Sequence, residues 1–260
     1  MTMPKYTFGD TSEASARLRK LAELYEPETR DLLKRGGVRG PEVAIDLGCG
    51  PGYTTRLLRN VVQAKRTIGF DASERFVEEA RRKHAPELEF RMADVVRDGF
   101  DGLCPNAMLC RFLLTHLAAP GEALAAWAEA AAPDAILFIH ETESLETQNP
   151  TLDRYYELVG RLQQHYGQAL YVGGLLEAFV KQSGWRIAES ERVTMEKPAQ
   201  KMAELHLPNL RTWRNDEFAK RSFEAREIDA LEEALARLVR GEVDAGTVRN
   251  CARQIIARRE

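Results

Sequence analysis

Three acidic residues close three successive apolar stretches of this 260-residue chain. They are Asp46 after Val43-Ala44-Ile45, Asp71 after Thr67-Ile68-Gly69-Phe70, and Asp94 at the end of the alternating run from Leu88. Gly48, Gly50 and Gly52 follow the first acid at alternate positions, with Cys49 and Pro51 between them. A glycine turn exposes bare backbone to a ligand, and a helix entered from such a turn offers unpaired N–H groups. Asp71 lies 23 residues after Gly48 (71 − 48 = 23), close to the spacing of roughly 20 at which an acid takes ribose hydroxyls. The chemistry these residues suit is the binding of a nucleoside-bearing cofactor. It is not dinucleotide binding of the usual G-x-G-x-x-G form, because the third glycine comes one residue early and Tyr53 stands where that motif wants Gly or Ala. No Lys-Ser or Lys-Thr follows, which excludes a P-loop.

The run from Val43 to Gly52 resembles motif I of the class I S-adenosylmethionine (SAM)-dependent methyltransferases, a hydrophobic run ending D-x-G-x-G-x-G. The resemblance covers roughly residues 40 to 190 and extends more weakly to the ends. It is similar in particular to small-molecule enzymes related to ubiquinone and menaquinone biosynthesis. It implies SAM as cofactor and S-adenosylhomocysteine (SAH) as product. Gly48, Cys49, Gly50 and Gly52 would then meet the methionine portion and ribose, and Asp46 the methionine ammonium, directly or through water. Asp71 with Ala72 would take the ribose hydroxyls, and Asp94 with Val95 the adenine. Arg111 and Phe112 would lie beside the methionine tail and the methyl group. Cys110-Arg111-Phe112-Leu113 replaces the Asn/Asp-Pro-Pro-Tyr loop of enzymes that methylate DNA bases or glutamine amides, which disfavours that mechanism.

The acceptor side carries fewer signals. Methyl transfer is catalysed chiefly by positioning, and a base is needed only if the acceptor must lose a proton. His116 and His140 are the candidate bases, since an unperturbed histidine titrates near pH 6.5. His140 and Glu141 end an apolar strand, where ligands of open α/β sheets gather. Tyr6, His165, Tyr166 and Tyr171 are candidate pocket walls. No histidine and carboxylate set has metal spacing, so no metal is expected.

The elements that must hold these residues alternate strand and helix from 42 to about 192, which predicts an α/β fold with a mostly parallel, Rossmann-like sheet and helices on both faces. Further strands are expected at 107–110, 135–140 and 185–193. Helices are expected at 120–132, 151–166 and 175–183. Residues 11–35 read as one or two helices that Pro27 breaks or restarts; they form either a lid over the cofactor or a layer packed on the sheet. Residues 198–241 look largely helical, an insertion between the sixth and seventh strands. Residues 248–257 read as a seventh, antiparallel strand, with a trailing helix as the alternative. The implied division is a lid over 1–40, a SAM-binding core over 41–194, and the insertion with the final strand over 195–260.

Composition agrees with a globular α/β protein: 44% hydrophobic, 30% charged, net charge −3. No basic run suggests nucleic acid. No apolar run of membrane-spanning length occurs, no signal-peptide core is visible, and the four cysteines lack paired spacing, so a cytoplasmic setting is expected. The expected partner is a small-molecule acceptor, with the protein a monomer or homodimer. An NAD(P)-dependent reductase, a protein or peptide methyltransferase and a non-catalytic SAM-binding protein are the competing readings.

Overall fold

The computed structural model describes residues 9–244 and 246–260. Chain order begins with α1 (Ser12–Arg35), β1 (Val43–Leu47), α2 (Tyr53–Val62), β2 (Arg66–Asp71), α3 (Glu74–Lys83), β3 (Leu88–Met92), β4 (Ala107–Arg111) and α4 (Pro120–Ala130). It continues with β5 (Ile136–Thr147), α5 (Pro150–His165), α6 (Leu176–Lys181), β6 (Trp185–Pro198), α7 (Ala199–Trp213), α8 (Glu217–Ser222), α9 (Ala225–Val239) and β7 (Thr247–Arg259). The seven strands form one sheet in the order β3-β2-β1-β4-β5-β7-β6. The pairs among β1 to β5 are parallel, and β7 runs antiparallel to both β5 and β6. This is the Rossmann-like fold expected, with its last strand reversed and three helices inserted before it.

Alternation along the strands divides the core between two faces. Ile45, Leu47, Ile68, Phe70, Ile139 and their neighbours pack under α4 and α6. Ala44, Leu109, Ile136 and Phe138 pack on the other face against Leu32 and Leu33 of α1 and Leu57, Leu58 and Val61 of α2. A third apolar cluster joins α5, α7, α8 and α9, outside the sheet. Trp127 anchors α4 by burying its ring and donating Nε1–H to the Val95 carbonyl at 2.9 Å. That bond fixes the segment just after β3, where Asp94 stands.

Two sequence expectations change, and one alternative closes. Pro27 does not break α1, which is continuous. Its ring is on the exposed side, as is Glu23 one turn earlier, so water can serve the carbonyl that the missing N–H would have bonded. The fifth and sixth strands run on to Thr147 and Pro198, beyond the apolar stretches that announced them. Their outer halves pair with β7, as in Leu145↔Asn250 and Lys197↔Val248. The segment from Val248 to Ala257 is strand and not trailing helix; Cys251, Ala252 and Ala257 are small enough to lie fully buried there between two partners.

Candidate cofactor and acceptor site

The sheet order reverses direction on either side of β1, so β1 and β4 part at their carboxyl ends. Open α/β sheets bind ligands in that crevice. A cavity of about 670 Å3 lies here, within the size range of sites for ligands of cofactor size. The loop after β1 forms its floor through Gly48, Cys49 and Gly50; Asp71, Ala72 and Ser73 come from the end of β2; Asp94 and Val95 follow β3. Arg111, Phe112 and His116 close the β4 side. These are most of the cofactor residues that the sequence nominates, brought together on one wall.

Local geometry explains the glycines. Gly48 has φ 67°, and a Cβ there would stand 2.9 Å from Leu113 Cδ1. Gly52 has φ 85°, begins α2, and is not on the cavity wall. Its role is packing, because a Cβ would sit 2.7 Å from the Phe90 ring. Gly52→Ala combines left-handed strain with this clash, and is expected to destabilise by about 2–4 kcal/mol. Gly40 also has positive φ, 63°, but open space around it. Gly40→Ala should therefore cost only about 1–2 kcal/mol, and urea unfolding of the two variants checks the difference.

Asp71 is held in place before any ligand arrives. Its Oδ2 accepts from Gly50 N–H and its Oδ1 from Ser73 N–H, both at 2.8 Å. Burial raises its pKa, against these two bonds. Asp94 turns its Oδ1 to Val96 N–H at 3.0 Å. Asp46 does not reach the cavity wall directly. It is buried one layer behind the wall, on the α2 face of β1, and its Oδ2 accepts from Thr54 Oγ1 at 2.6 Å and Thr55 Oγ1 at 2.7 Å. It thus ties the first turn of α2 to the strand rather than facing the cavity. Burial pushes its pKa up to about 6.

The β4 end is strained. Phe112 is a non-glycine residue at φ 52°, a conformation that costs on the order of 1–3 kcal/mol and clusters at functional sites. Its backbone N–H is held by the His140 carbonyl at 3.1 Å, and its ring lies 5.6 Å from the Arg111 guanidinium. Arg111 reaches Thr29 Oγ1 at 3.4 Å. Burial lowers its pKa to about 10, opposed by Asp46, so it remains a cation at neutral pH.

The acceptor candidates fare differently. His116 lines the cavity, with Nδ1 3.5 Å from Gln163 Nε2. Burial first, and Arg17 second, lower its pKa to about 3, which makes it neutral and a weak base. His140 is fully buried on the α1 face of β5, away from the cavity, with Nδ1 3.1 Å from Thr29 Oγ1. Alternation along the strand puts Glu141 on the opposite face, where its Oε1 accepts from Leu113 and Leu114 N–H at 2.7 and 2.8 Å. Neither side chain is a cavity wall; Glu141 shapes the turn that carries Phe112 and His116. Tyr171, Tyr166 and His165 are not on the cavity wall either. Tyr171 is exposed, Tyr166 donates to Asp216 at 2.7 Å, and His165 stacks on Phe218. Tyr6 lies outside the described residues. Among the described residues no group of three or more His, Cys, Asp and Glu is placed to hold a metal ion.

Arg17, Leu18 and Leu21 of α1 were not nominated by sequence, yet line the cavity. Their signal is spacing: Arg17 falls on the same helical stripe as Leu21 and Tyr25, so it points inward. The C-terminal half of α1 packs on the sheet while its N-terminal half borders the cavity.

The fold and the glycine turn with its strand-end acids have the arrangement that the resemblance to class I SAM-dependent methyltransferases implies. Residues 44–134 match the family described as Methyltransferase domain. A stretch of 140 residues, 54% of this chain and 54% of the relative, is 30% identical to trans-aconitate 2-methyltransferase of Methylobacterium nodulans. The chain thus spans about half the length of that curated relative. Among solved structures, a putative methyltransferase from Bacillus halodurans C-125 superposes with TM-score 0.61 at 13% identity, over 89% of this chain and 98% of that one. A geranyl diphosphate methyltransferase in complex with SAM gives 0.55 at 14% identity, over 98% and 94%. These structures share the fold. Among the described residues no helix is long and apolar enough to cross a membrane.

Proposed function

We propose that this chain moves a methyl group from SAM to an oxygen, nitrogen or carbon atom of a small-molecule acceptor. The observation that carries the reading is the meeting of the Gly48–Gly50 turn with the preorganised Asp71 carboxylate on one cavity at the sheet's switch point. The methyltransferase family match over 44–134 and the methyltransferase relatives support it. Bound SAM would supply a methyl on a sulfonium, which an electron pair of the acceptor takes as the carbon–sulfur bond breaks and SAH leaves. In this reading Asp71 accepts the ribose hydroxyls, Asp94 and Val95 hold the adenine, and the backbone of Gly48 and Gly50 approaches the methionine portion. Arg111 sits beside the methionine carboxylate and the Phe112 ring beside the methyl. No strong base is required of His116, whose neutral form suits positioning.

Thermal unfolding with SAH, SAM and NADH tests the cofactor. Ligand at 100 times its Kd stabilises by about 2.7 kcal/mol, or roughly 5–10 °C in Tm for a chain of this size. A shift of that size with SAM and SAH alone is the expected result. A shift with NADH alone would support the reductase reading instead. SAM binding without transfer to any of a broad panel of small acceptors would favour a peptide acceptor or a non-catalytic SAM-binding protein.

A further inference from the structure

Behind the cofactor cavity lies a second, smaller chamber of about 110 Å3. Four residues, Arg17, Leu21, Phe112 and His116, border both spaces and form the partition between them. The chamber's far walls come from α5, α7 and β7. Its surface is mainly aromatic and aliphatic: Tyr25, Tyr155, Tyr156, Val159, Leu170 and Met202.

What distinguishes the chamber is its polar atoms. Gln163 Oε1, Asn209 Oδ1, Asn250 Oδ1 and His206 Nδ1 all belong to its lining, and none has a hydrogen-bond partner in the described protein. The three amide residues are at least nine-tenths buried: Gln163 and Asn250 are 1% exposed and Asn209 6%. A buried polar atom without a partner is uncommon and costs about 1–3 kcal/mol. Four around one small space therefore indicate a missing partner. For Asn250 and Gln163 the role follows from the bonds their amides do make. Tyr25 O–H donates to Met202 Sδ at 3.7 Å, so its oxygen accepts from Asn250 Nδ2 at 2.6 Å; that fixes the amide and leaves its carbonyl oxygen facing the space. Gln163 turns Nε2 toward His116 Nδ1 at 3.5 Å, which leaves Oε1 likewise. His206 Nε2 is engaged by Tyr156 Oη at 3.1 Å, and its ring is stacked on Tyr155 at 4.4 Å. Burial keeps both His206 and His116 uncharged at neutral pH. Arg17 is the one Arg or Lys among the described lining residues.

We propose that this chamber seats the acceptor, and that it selects a single small ring or comparable apolar unit bearing two or more hydroxyl or amine donors, rather than a polycarboxylate. The inference rests on the methyl-transfer reading for the role of the cavity next door. The apolar walls suit a ring face, and since a cavity of about 150 Å3 is known to hold benzene, a chamber of about 110 Å3 takes a ring only with its edge standing in the partition. The carbonyl oxygens accept hydrogen bonds and cannot donate them. A donor-bearing ring satisfies them. Carboxylate oxygens would bring lone pairs against lone pairs, with one arginine to offset several charges. The partition then places the reacting atom beside Phe112 and His116, next to the expected methyl position.

The test is binding of three probes to the full chain, with and without saturating SAH: resorcinol (ring, two donors), toluene (ring, none) and trans-aconitate (three carboxylates). Dissociation constants are measured by titration calorimetry or ligand-observed NMR, and SAH affinity is measured in the same preparations. Resorcinol is expected to bind at least about tenfold more tightly than toluene, at roughly one net kcal/mol per hydrogen bond made, and more tightly than trans-aconitate. Asn209→Leu should cut the resorcinol preference about fivefold; Gln163→Leu, on a different helix, serves as the second variant. A resorcinol-to-toluene ratio near one, tighter binding of trans-aconitate, or a ratio unmoved by both substitutions would each overturn the proposal. Failure of the wild-type protein to bind SAH would instead strike the methyl-transfer reading, and the probe ratios measured without SAH would still decide the character of the chamber.

Discussion

Asp71→Ala is expected to weaken SAH binding by about 100-fold or more and leave the chain folded. Hydrogen bonds to a charged group contribute about 1.5–3 kcal/mol each, and a carboxylate facing a ribose can accept two. Loss of both therefore exceeds the roughly 2.7 kcal/mol that corresponds to a hundredfold change. The structure adds a second reason. The same carboxylate holds Gly50 N–H and Ser73 N–H at 2.8 Å, so removing it also frees the glycine turn that the cofactor must approach. Asp71→Asn separates the two contributions: its carbonyl oxygen still accepts one hydrogen bond, but it has lost the charge and the second acceptor. It should fall between wild type and Asp71→Ala, at about tenfold to thirtyfold weaker. Calorimetric titration with SAH measures both, and an unfolding curve run alongside shows that the fold survives. An Asp71→Ala protein that binds SAH within threefold of wild type would remove Asp71 from the ribose role and leave it as a clasp on the loop.

Asp71 and the glycine turn could be read in the sequence because their signal is local. A strand, a turn with positive φ and a helix follow one another within twenty residues, and each has its own residue preferences. The same grammar placed Asp94 and Arg111 at strand ends. It failed where the outcome depended on which face of a doubly buried strand a side chain takes. Ile136 to Glu141 is buried throughout, so hydrophobicity gave no phase, and His140 went to the α1 face while Glu141 went to the other. The layer of Asp46 was open for the same reason: Leu47 and Asp46 are both buried, and only the hydroxyls of Thr54 and Thr55 show which one the acid serves. The acceptor chamber was illegible on other grounds. Gln163, Asn209 and Asn250 come from α5, α7 and β7, almost ninety residues apart along the chain (250 − 163 = 87). An amide on an otherwise apolar helix face reads as ordinary helix surface until a partner element covers it. Pro27 shows the limit of punctuation rules, because a proline on the wet side of a long helix leaves a carbonyl that water can reach.

Stability should peak at about pH 6.7 and fall on both sides, and Glu141→Gln should abolish the fall on the alkaline side. Glu141 is fully buried, and burial pushes its pKa up to about 8 from an ordinary 4.5, despite the N–H bonds from Leu113 and Leu114. The folded protein therefore keeps a proton between those values that the unfolded chain has released. Under linkage, stability falls as pH rises wherever the folded state holds more protons; the contribution is complete below pH 4.5 and is lost as pH passes 8. Asp46 acts in the same direction at lower pH, with a folded value near 6. The histidines have the opposite sign. His116, His140 and His206 are each lowered to about 3 by burial, so the unfolded chain takes up protons below pH 6.5 that the folded one refuses, and stability falls as pH drops. Three histidines outweigh two acids below about pH 6.7; above it Glu141 dominates, opposed by the fraction of unfolded-state histidine that still holds a proton. One proton of difference changes the unfolding free energy by about 1.4 kcal/mol per pH unit, so between pH 6.5 and 8 Glu141 removes about 1.6 kcal/mol, the unfolded-state histidines return about 1, and wild type should lose about 0.6 kcal/mol. Glu141→Gln retains an acceptor for the two backbone N–H groups without a titrating proton, and its stability over that interval should rise by about 1 kcal/mol instead of falling. Urea unfolding at half-unit steps of pH reads both slopes. Parallel slopes in the two proteins would mean that Glu141 is already ionised in the folded state, held so by the turn that carries Phe112 and His116.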